Sequence, residues 1–210
     1  MMKLLLRYED GERRIRIAEI LDDGSRIYFE NGTLYTHVDA RGDNLLSYVD
    51  EMAGLLKGAG SVLLLGAAGG ALATHLCREG ACVTAVDNLA LAFEVARRWF
   101  HMPEQVECVH ADAFDFLRST ARQWDAVAVD VFHGGDIPEA LISQEVAERL
   151  VKATVPGGQI IWNVADGFWS APARAIAQVL SGAGQSPQIR PAGHLIEGNS
   201  LVVCRLPPRT

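Results

Sequence analysis

The sequence is poor in cysteine and contains no long apolar run. Its four cysteines lie far apart, and no two of them form a Cys-x-x-Cys pair, which argues against a zinc ribbon or a disulfide framework. The thiols are expected to be reduced and buried, and no metal is expected. The opening Met-Met-Lys-Leu-Leu-Leu-Arg is too short for a signal peptide, and no later run approaches the ~20 apolar residues of a membrane span. We therefore expect a cytoplasmic protein with no membrane partner.

Basic residues are also few. The chain has 19 Lys and Arg against 26 Asp and Glu, for a formal net charge of −7. This balance does not favour a nucleic-acid surface, whereas it is compatible with cationic substrates. The content of apolar residues, 49%, and of charged residues, 21%, is ordinary for a globular protein of 210 residues. Such a length predicts one main domain with a small appendage.

Alternating polar and apolar residues dominate the N-terminal part. They run over residues 14–21, 26–29 and 33–37, and the segments are separated by Asp22-Asp23-Gly24 and Asn31-Gly32, which favour hairpin turns. The pattern predicts a small β-hairpin region over residues 1–40. Apolar residues at helical spacing then predict an amphipathic helix over residues 43–57, ended by Gly58.

The remainder of the chain alternates strand and helix patterns. Strands are expected at 61–65, 82–86, 106–110, 125–129 and 159–164, each followed by a helical segment, with two shorter strands at 188–191 and 200–206. Repeated strand–helix units predict a doubly wound, mostly parallel seven-stranded sheet over residues 41–210, with helices on both faces. Ligands of such sheets bind beyond the carboxyl ends of the strands.

The first of these strands ends in a loop of small residues. Gly66, Ala67, Gly69 and Gly70 let a ligand approach the backbone closely, next to the positive end of the following helix. The pattern is typical of a nucleotide site, although such a loop is often only packing. No Gly-Lys-Ser/Thr follows, so a P-loop is not indicated.

Acidic residues end the next three strands. Asp87 with its neighbour Asn88, Asp112 with Ala113, and Asp130 are expected to meet at one edge of the sheet. Asp87 is placed to accept hydrogen bonds from ribose hydroxyls, and its loss is expected to impair ligand binding with little loss of stability. Each aspartate taken alone also suits a helix cap. Together they predict a ligand-binding crevice.

These residues resemble the spermidine synthase-like family, the polyamine synthase branch of the class I S-adenosylmethionine-dependent methyltransferase fold. The resemblance is carried by residues 26–35, 48–52, 62–70 and 127–142, together with a Pro156-Gly157-Gly158 turn before the fifth strand. It implies a class I methyltransferase-like Rossmann fold. It also implies an alkyl transferase that binds S-adenosylmethionine, its decarboxylated form or methylthioadenosine, with the loop on the amino-acid or aminopropyl tail, Asp87 on ribose and Asp112 on adenine.

The chain departs from the family pattern at three polar positions, and at one of them a glutamine that is common after the N-terminal Asp-Gly is here nearest to Tyr35. Polyamine synthases typically carry Gly-Asp-Gly-Gly in the first loop, where this chain has Gly66-Ala67-Ala68-Gly69-Gly70. They carry Asp-Ser-Ser-Asp after the fourth strand, where this chain has Asp130-Val131-Phe132-His133. Because the loop carboxylate is absent, S-adenosylmethionine is expected to bind at least as tightly as its decarboxylated form, and putrescine aminopropylation is expected to be slow or absent.

The resemblance assigns roles to residues near the crevice. Asp130 and His133 are the expected catalytic groups, and Tyr35, Phe132 and Asp136 are expected to contact the substrate. Arg13, Arg14 and Arg16 are interpreted as a solvated strand face. Trp162 and Trp169 are interpreted as core residues.

Methyl and aminopropyl transfer both stay open at this point. The expected partner is a small-molecule acceptor, with an amine among the candidates, and a homodimer also stays open. A non-catalytic module that binds an adenosyl nucleoside is the first alternative. A nicotinamide-dependent oxidoreductase is a weaker one, because it shares the loop and Asp87 but not the features around the third and fifth strands.

Overall fold

A computed structural model describes residues 1–193 and 198–209. The N-terminal part forms a four-stranded antiparallel sheet in the order β1-β2-β3-β4. Asn31 and Gly32 have positive φ angles of 51° and 86°, as a two-residue hairpin turn requires. The strands are β1 (Met2–Asp10), β2 (Arg13–Ile20), β3 (Arg26–Glu30) and β4 (Thr33–Val38).

The second sheet has seven strands in the order β10-β11-β9-β8-β5-β6-β7. Strands β5 to β9 pair in parallel, and β11 is antiparallel to both β9 and β10. The predicted fold class is confirmed. The strands are β5 (Ser61–Leu65), β6 (Cys82–Asp87), β7 (Glu107–His110), β8 (Trp124–Val129), β9 (Thr154–Val164), β10 (Gln188–Ala192) and β11 (Asn199–Arg205).

Helices cover both faces of this sheet. Val62 and Leu64 of β5 pack in one hydrophobic core with α1, α2 and α3, whereas Leu63 and Leu65 pack in another with α4, α5 and α6. None of the helices in the described residues has the length and apolar character needed to cross a membrane. The helices are α1 (Ser47–Leu56), α2 (Ala71–Arg78), α3 (Ala90–Phe100), α4 (Ala113–Ser119), α5 (Gln144–Ala153) and α6 (Ala171–Gly182), with a 3₁₀ turn at Glu139–Leu141.

The four-stranded sheet shares the first of these cores. Ile15, Ile17 and Tyr28 are buried in the same cluster as Leu64 of β5. The small sheet is therefore packed onto the large one. The division into domains at residues 1–40 and 41–210 stays a prediction.

Three expectations about the elements were wrong. The sequence does not predict the first strand, β1, because its apolar residues Leu4, Leu5 and Leu6 are consecutive and do not alternate with polar ones. The helix expected from residue 43 begins at Ser47, since the Asn44 side chain bonds to both the N–H and the carbonyl of Leu46 and holds this segment out of the helix. Residues 156–158 are an irregular part of β9, not a turn before it, and the pairing with β8 shifts register there.

Two expectations about burial also need correction. Cys204 is buried, but Cys82 is exposed, and the other two cysteines are half-buried. Trp162 is a core residue as expected, whereas Trp169 is 54% exposed in the segment between β9 and α6. An apolar side chain in a connecting segment has no periodic pattern to reveal which way it points.

Candidate functional site

A cavity of about 520 Å³ lies at the carboxyl ends of β5, β6 and β8, where the four-stranded sheet meets the seven-stranded one. This volume is within the usual range for small-molecule sites. Residues from both sheets line it. The predicted site residues in its lining are Tyr35, Gly66, Ala67, Asp87, Asn88, Asp112, Asp130, Phe132, His133 and Asp136.

Three predicted site residues are absent from this lining. The N–H of Gly69 donates to Thr36 Oγ1 at 3.0 Å, which ties the loop to β4. Gly70 has a φ of 74°, and a Cβ there would lie 2.8 Å from the sulfur of Met102. Ala113 is buried as the first residue of α4. Packing and backbone bonding within the protein therefore explain why small residues stand at these three positions.

Gly66 is required by the close approach of two loops. Its φ is 88°, and a Cβ would lie 2.2 Å from the carbonyl oxygen of Asp130. Only glycine fits this position without moving the backbone. The loop after β5 is thereby held against the loop after β8, and both form the floor of the cavity.

The N–H groups of the loop after β5 already have partners. Gly66 donates to Val86 O at 2.8 Å, and Gly70 donates to Ala67 O at 2.7 Å. Ala67 and Ala68 donate to one oxygen of Asp87, at 2.9 and 3.3 Å. With the Gly69 bond to Thr36, every N–H from 66 to 70 is used. No donor of this loop is left for the carboxylate of a ligand.

The carboxylates that follow β6 and β7 also accept hydrogen bonds from backbone N–H groups. Asp87 Oδ1 accepts from the N–H of Leu89 at 2.9 Å, so Asp87 receives three backbone bonds in all. Asp112 Oδ1 accepts from Phe114 and Asp115 at 2.8 and 3.1 Å and caps α4. Among the described residues, no donor bonds to Asp112 Oδ2. Each group is a cap and still has acceptor capacity beside the cavity.

Asp130 follows β8 and is held by a chain of buried amides. Asn163 Nδ2 donates to Asp130 Oδ1 at 2.7 Å, and Asn199 Nδ2 donates to Asn163 Oδ1 at 3.0 Å. Burial raises the pKa of the Asp130 carboxyl to about 6, and the hydrogen bond from Asn163 opposes this shift. No donor in the described part of the chain bonds to Oδ2. The structure thus holds one oxygen and leaves the other for a ligand.

Residues 133–136 form a tight turn at the rim of the cavity. The backbones of His133 and Asp136 exchange hydrogen bonds of 2.8 and 3.2 Å, and both side chains are exposed. The N–H of Gly135 donates to Tyr35 Oη at 3.2 Å, which joins this turn to β4. Burial raises the pKa of Tyr35 to about 12, so its hydroxyl stays protonated. The ring centroids of Tyr35 and Phe132 are 6.3 Å apart.

The four-stranded sheet contributes three polar residues to this cavity that the sequence does not single out as site residues, Arg13, Tyr28 and Glu30. Arg13 Nε lies 3.0 Å from Glu30 Oε1, and the Arg13 guanidinium donates to Asn88 Oδ1 at 3.1 Å. Tyr28 Oη donates to Glu30 Oε2 at 3.3 Å. Burial raises the pKa of Glu30. For Arg13, the alternation of the strand indicates the buried position, since residues 13 and 15 lie on the same face and Ile15 is buried.

The cavity is strongly acidic. Among the described residues of its lining, five carboxylates stand against one arginine, Arg13, and one histidine, His133. Acidic groups in a concave, partly buried site concentrate the field and favour cationic ligands. Within the described ranges, no group of three or more His, Cys, Asp or Glu residues is arranged to hold a metal ion. The carboxylates are Glu30, Asp87, Asp112, Asp130 and Asp136.

No protein-family model matches the chain. Among curated proteins, it is 29% identical over 181 residues to a polyamine aminopropyltransferase of Chromobacterium violaceum, covering 77% of this chain and 68% of that protein. It is 34% identical over 122 residues to a ubiquinone biosynthesis O-methyltransferase of Klebsiella pneumoniae, covering 56% of this chain and 47% of that one. The chain therefore spans about half the length of that methyltransferase.

Solved structures with the same fold include two spermidine synthases. A probable spermidine synthase from Corynebacterium glutamicum has a TM-score of 0.80 at 18% identity, over 95% of this chain and 79% of that one. The spermidine synthase from Thermotoga maritima has a TM-score of 0.75 at 17% identity, and the match covers 97% of this chain and 72% of that one. Human methyltransferase-like protein 13 in complex with SAH has a TM-score of 0.63 at 22% identity, and the match covers 78% of this chain and 83% of that one. The resemblance and transferase class that the sequence predicts are confirmed.

Proposed function

We propose that this spermidine synthase-like chain binds an adenosyl sulfonium nucleoside in the 520 Å³ cavity and transfers an alkyl group from it to a small amine. The acidic lining carries this proposal. A sulfonium and an amine are both cationic before reaction, and the carboxylates of the cavity outnumber its single arginine. A dinucleotide has the opposite charge, so the same lining disfavours the nicotinamide alternative.

The residues present fit the adenosyl part of such a ligand. Asp87 has two oxygens with about four acceptor sites, of which three are used by backbone N–H groups, so a ribose hydroxyl can take the remaining one. Asp112 Oδ2 is free to accept from the adenine amino group. Gly66 brings the floor of the cavity close to the ligand. These assignments are part of the proposal.

The charge pattern favours the decarboxylated nucleoside, which carries an ammonium but no carboxylate. The sequence alone favours S-adenosylmethionine, because Ala67 and Ala68 offer no carboxylate to the ammonium. That argument places the ligand carboxylate at the N–H groups of a helix N-terminus, but the N–H groups of residues 66–70, which lead into α2, are already bonded within the protein. Glu30 and Asp136 line the same cavity and are the anions that we propose for the ammonium.

Asp130 is the base that we propose. When bound, the sulfonium supplies a carbon with a good leaving group, so the chain mainly has to align the amine and take up its proton. With a pKa of about 6, Asp130 is ionised at neutral pH and yet closer to neutrality than an ordinary aspartate. Asn163 holds Oδ1 and so directs Oδ2 toward the amine. His133 is exposed at the rim, where we propose that it passes the proton to water.

Calorimetric titration tests the proposal with four ligands: S-adenosylmethionine, its decarboxylated form, methylthioadenosine and NAD. We expect the decarboxylated form to bind most tightly and NAD not to bind. At about 100 times Kd, the bound nucleoside should stabilise the protein by about 2.7 kcal/mol. An assay with putrescine and other small amines then tests transfer. Binding of NAD alone would contradict the proposal, and tighter binding of S-adenosylmethionine with methylated product would assign methyl transfer.

A further inference from the structure

The last strand of the large sheet contributes a buried amide to the hydrogen bonds at Asp130. Asn199 is the first residue of β11, and its Nδ2 donates to Asn163 Oδ1 at 3.0 Å. Asn163 Nδ2 in turn donates to Asp130 Oδ1 at 2.7 Å. The two amides therefore connect Asp130 to β11, whose residues, all of them described, lie outside the lining of the acidic cavity.

Strand pairing brings these three side chains together. Asn163 of β9 lies opposite Leu201 of β11, so Asn199, two residues before Leu201, lies on the same face of the sheet. The parallel pairing of β8 with β9 brings Asn163 next to Asp130 at the carboxyl end of β8. The three polar groups thus meet on the face of the sheet that packs against α1, α2 and α3.

Both amides occupy positions that suit apolar residues. Only 1% of Asn163 and 9% of Asn199 is exposed, and Ile161 and Leu201 on the same face belong to the hydrophobic core. A buried amide is costly unless it is hydrogen-bonded, and two apolar side chains of similar shape can serve a core equally well. Packing alone therefore does not explain why both strands carry asparagine here, whereas the bond to Asp130 does.

We propose that Asn199 is a positioning residue that fixes the orientation of the Asn163 amide, so that Asn163 presents an N–H group and not its oxygen to Asp130. The inference rests on the proposed function, in which Asp130 takes up the proton of the amine. An asparagine amide that turns by about 180° exchanges the places of its oxygen and nitrogen. Because Asn199 donates to the oxygen, the turned amide would bring two NH₂ groups together.

The orientation of Asn163 sets which form of Asp130 is favoured. An N–H donor stabilises the carboxylate, so this bond lowers the pKa of Asp130 against the effect of burial. Without Asn199, the amide can turn and accept the proton of a neutral carboxyl, so the neutral form gains a partner. A neutral Asp130 cannot take a proton from the amine. Asn199 thus acts on the proton transfer through Asn163, from outside the acidic cavity.

Other titratable groups share the cavity with Asp130. Burial raises the pKa of both tyrosines, Tyr28 and Tyr35, so they stay protonated. Among the described residues, none of the charged groups in the lining bonds to Asn163 or Asn199, so replacing Asn199 removes no bond from them. These charged groups are Arg13, Glu30, Asp87, Asp112, His133 and Asp136.

The pH dependence of the transfer step tests the inference on the full chain. Asn199→Leu removes the donor and should raise the pH midpoint of the single-turnover rate by about one pH unit. The rate should then fall by about five-fold near pH 6 and stay almost unchanged near pH 8.5. Asn199→Ala is the second variant, in case leucine is too large for the site. An equal change of rate at every pH would indicate a structural role and would overturn the inference.

Titration of the Asp130 carboxyl by ¹³C NMR gives the same comparison without turnover. In the nucleoside-free protein, this resonance, assigned with Asp130→Asn, should titrate about one pH unit higher in Asn199→Leu than in the unchanged chain. An unchanged titration in both Asn199 variants would overturn the inference whatever the activity. Failure of every adenosyl nucleoside to bind would instead overturn the proposed function.

A double variant shows whether Asn199 acts through Asn163. In an Asn163→Ala background, Asn199→Leu should shift the Asp130 titration no further, because the amide that it orients is gone. Equal shifts with and without Asn163 would contradict the inference.

Ser200→Ala is the matched control. Ser200 is the buried neighbour of Asn199 on β11, and its hydroxyl donates to the carbonyl oxygen of Asp166 at 3.3 Å. The variant removes a hydrogen bond from the same strand but leaves both asparagines in place, so the Asp130 titration should not move. A shift as large as that of Asn199→Leu would mean that any weakening of β11 has this effect, and the inference would fail.

Discussion

The two walls of the acidic cavity are built differently. On the seven-stranded sheet, Asp87 and Asp112 follow strand ends and are fixed by backbone N–H groups. On the four-stranded sheet, Arg13 and Glu30 are fixed by an ion pair between their own side chains at 3.0 Å. A group anchored on backbone keeps its place when its neighbours change, whereas side-chain pairs depend on each other. We therefore expect the first wall, on the seven-stranded sheet, to hold the ligand. We expect the second wall, on the four-stranded sheet, to set the charge of the cavity.

The largest effect is expected at Asp130, on the first wall. Asp130→Asn keeps an oxygen to accept from Asn163 but cannot take a proton, so the transfer rate should fall by about 100-fold or more. Thioether release under single-turnover conditions measures this rate. Nucleoside affinity, measured by calorimetry, should change far less. Comparable losses of rate and affinity would contradict a role as base.

The same variant should gain stability. The Asp130 carboxyl has a pKa of about 6 in the fold against an ordinary 3.8, so the folded state binds its proton more tightly. Its contribution therefore destabilises the fold progressively as the pH rises from about 4 to about 6. Asp130→Asn should raise the free energy of unfolding by roughly 1–2 kcal/mol at pH 7 and leave it unchanged near pH 4. Urea unfolding at the two pH values checks the sign.

Gly66 tests the contact between the two loops of the first wall. Gly66→Ala places a methyl 2.2 Å from the Asp130 carbonyl oxygen at a φ of 88°, so we expect a loss of about 3 kcal/mol and weaker nucleoside binding. Gly80→Ala is the matched control, since its φ is 96° but open space surrounds it. Its cost should be about 1 kcal/mol, with unchanged binding. Equal costs in urea unfolding would show that φ alone matters.

A variant of Asp87 distinguishes a role in ligand binding from a role as a structural cap. Its strand-end position alone predicts lost binding with little loss of stability, but it also accepts three backbone N–H groups. Asp87→Ala should therefore lower the free energy of unfolding by about 2 kcal/mol as well as abolish most nucleoside binding. Asp125→Ala is the control, because Asp125 accepts the Ser61 N–H at 2.8 Å away from the cavity. It should lose stability and keep the nucleoside.

The two walls also differ in how far the sequence predicts them. Strand ends of a parallel sheet meet at one edge whatever the details of packing, so Asp87, Asp112 and Asp130 could be placed together from their positions alone. The other wall depends on how one sheet lies on the other, which no local pattern specifies. The sequence analysis therefore places Arg13 in solvent, although its alternation with Ile15 indicates the buried face.

The smallest effect is expected on the second wall, at Glu30. Because burial raises the pKa of Glu30, neutralising it removes a cost of ionisation but leaves Arg13 without its partner, so the melting temperature should change little. Glu30→Gln should weaken the decarboxylated nucleoside by about five-fold, as removal of one nearby charge does, and leave uncharged methylthioadenosine unaffected. Glu19→Gln is the control, since Glu19 pairs with Arg26 on the same sheet away from the cavity. Equal weakening of both nucleosides in calorimetry would mean that Glu30 positions Arg13 rather than supplying charge, and the contrast between the walls would then fail.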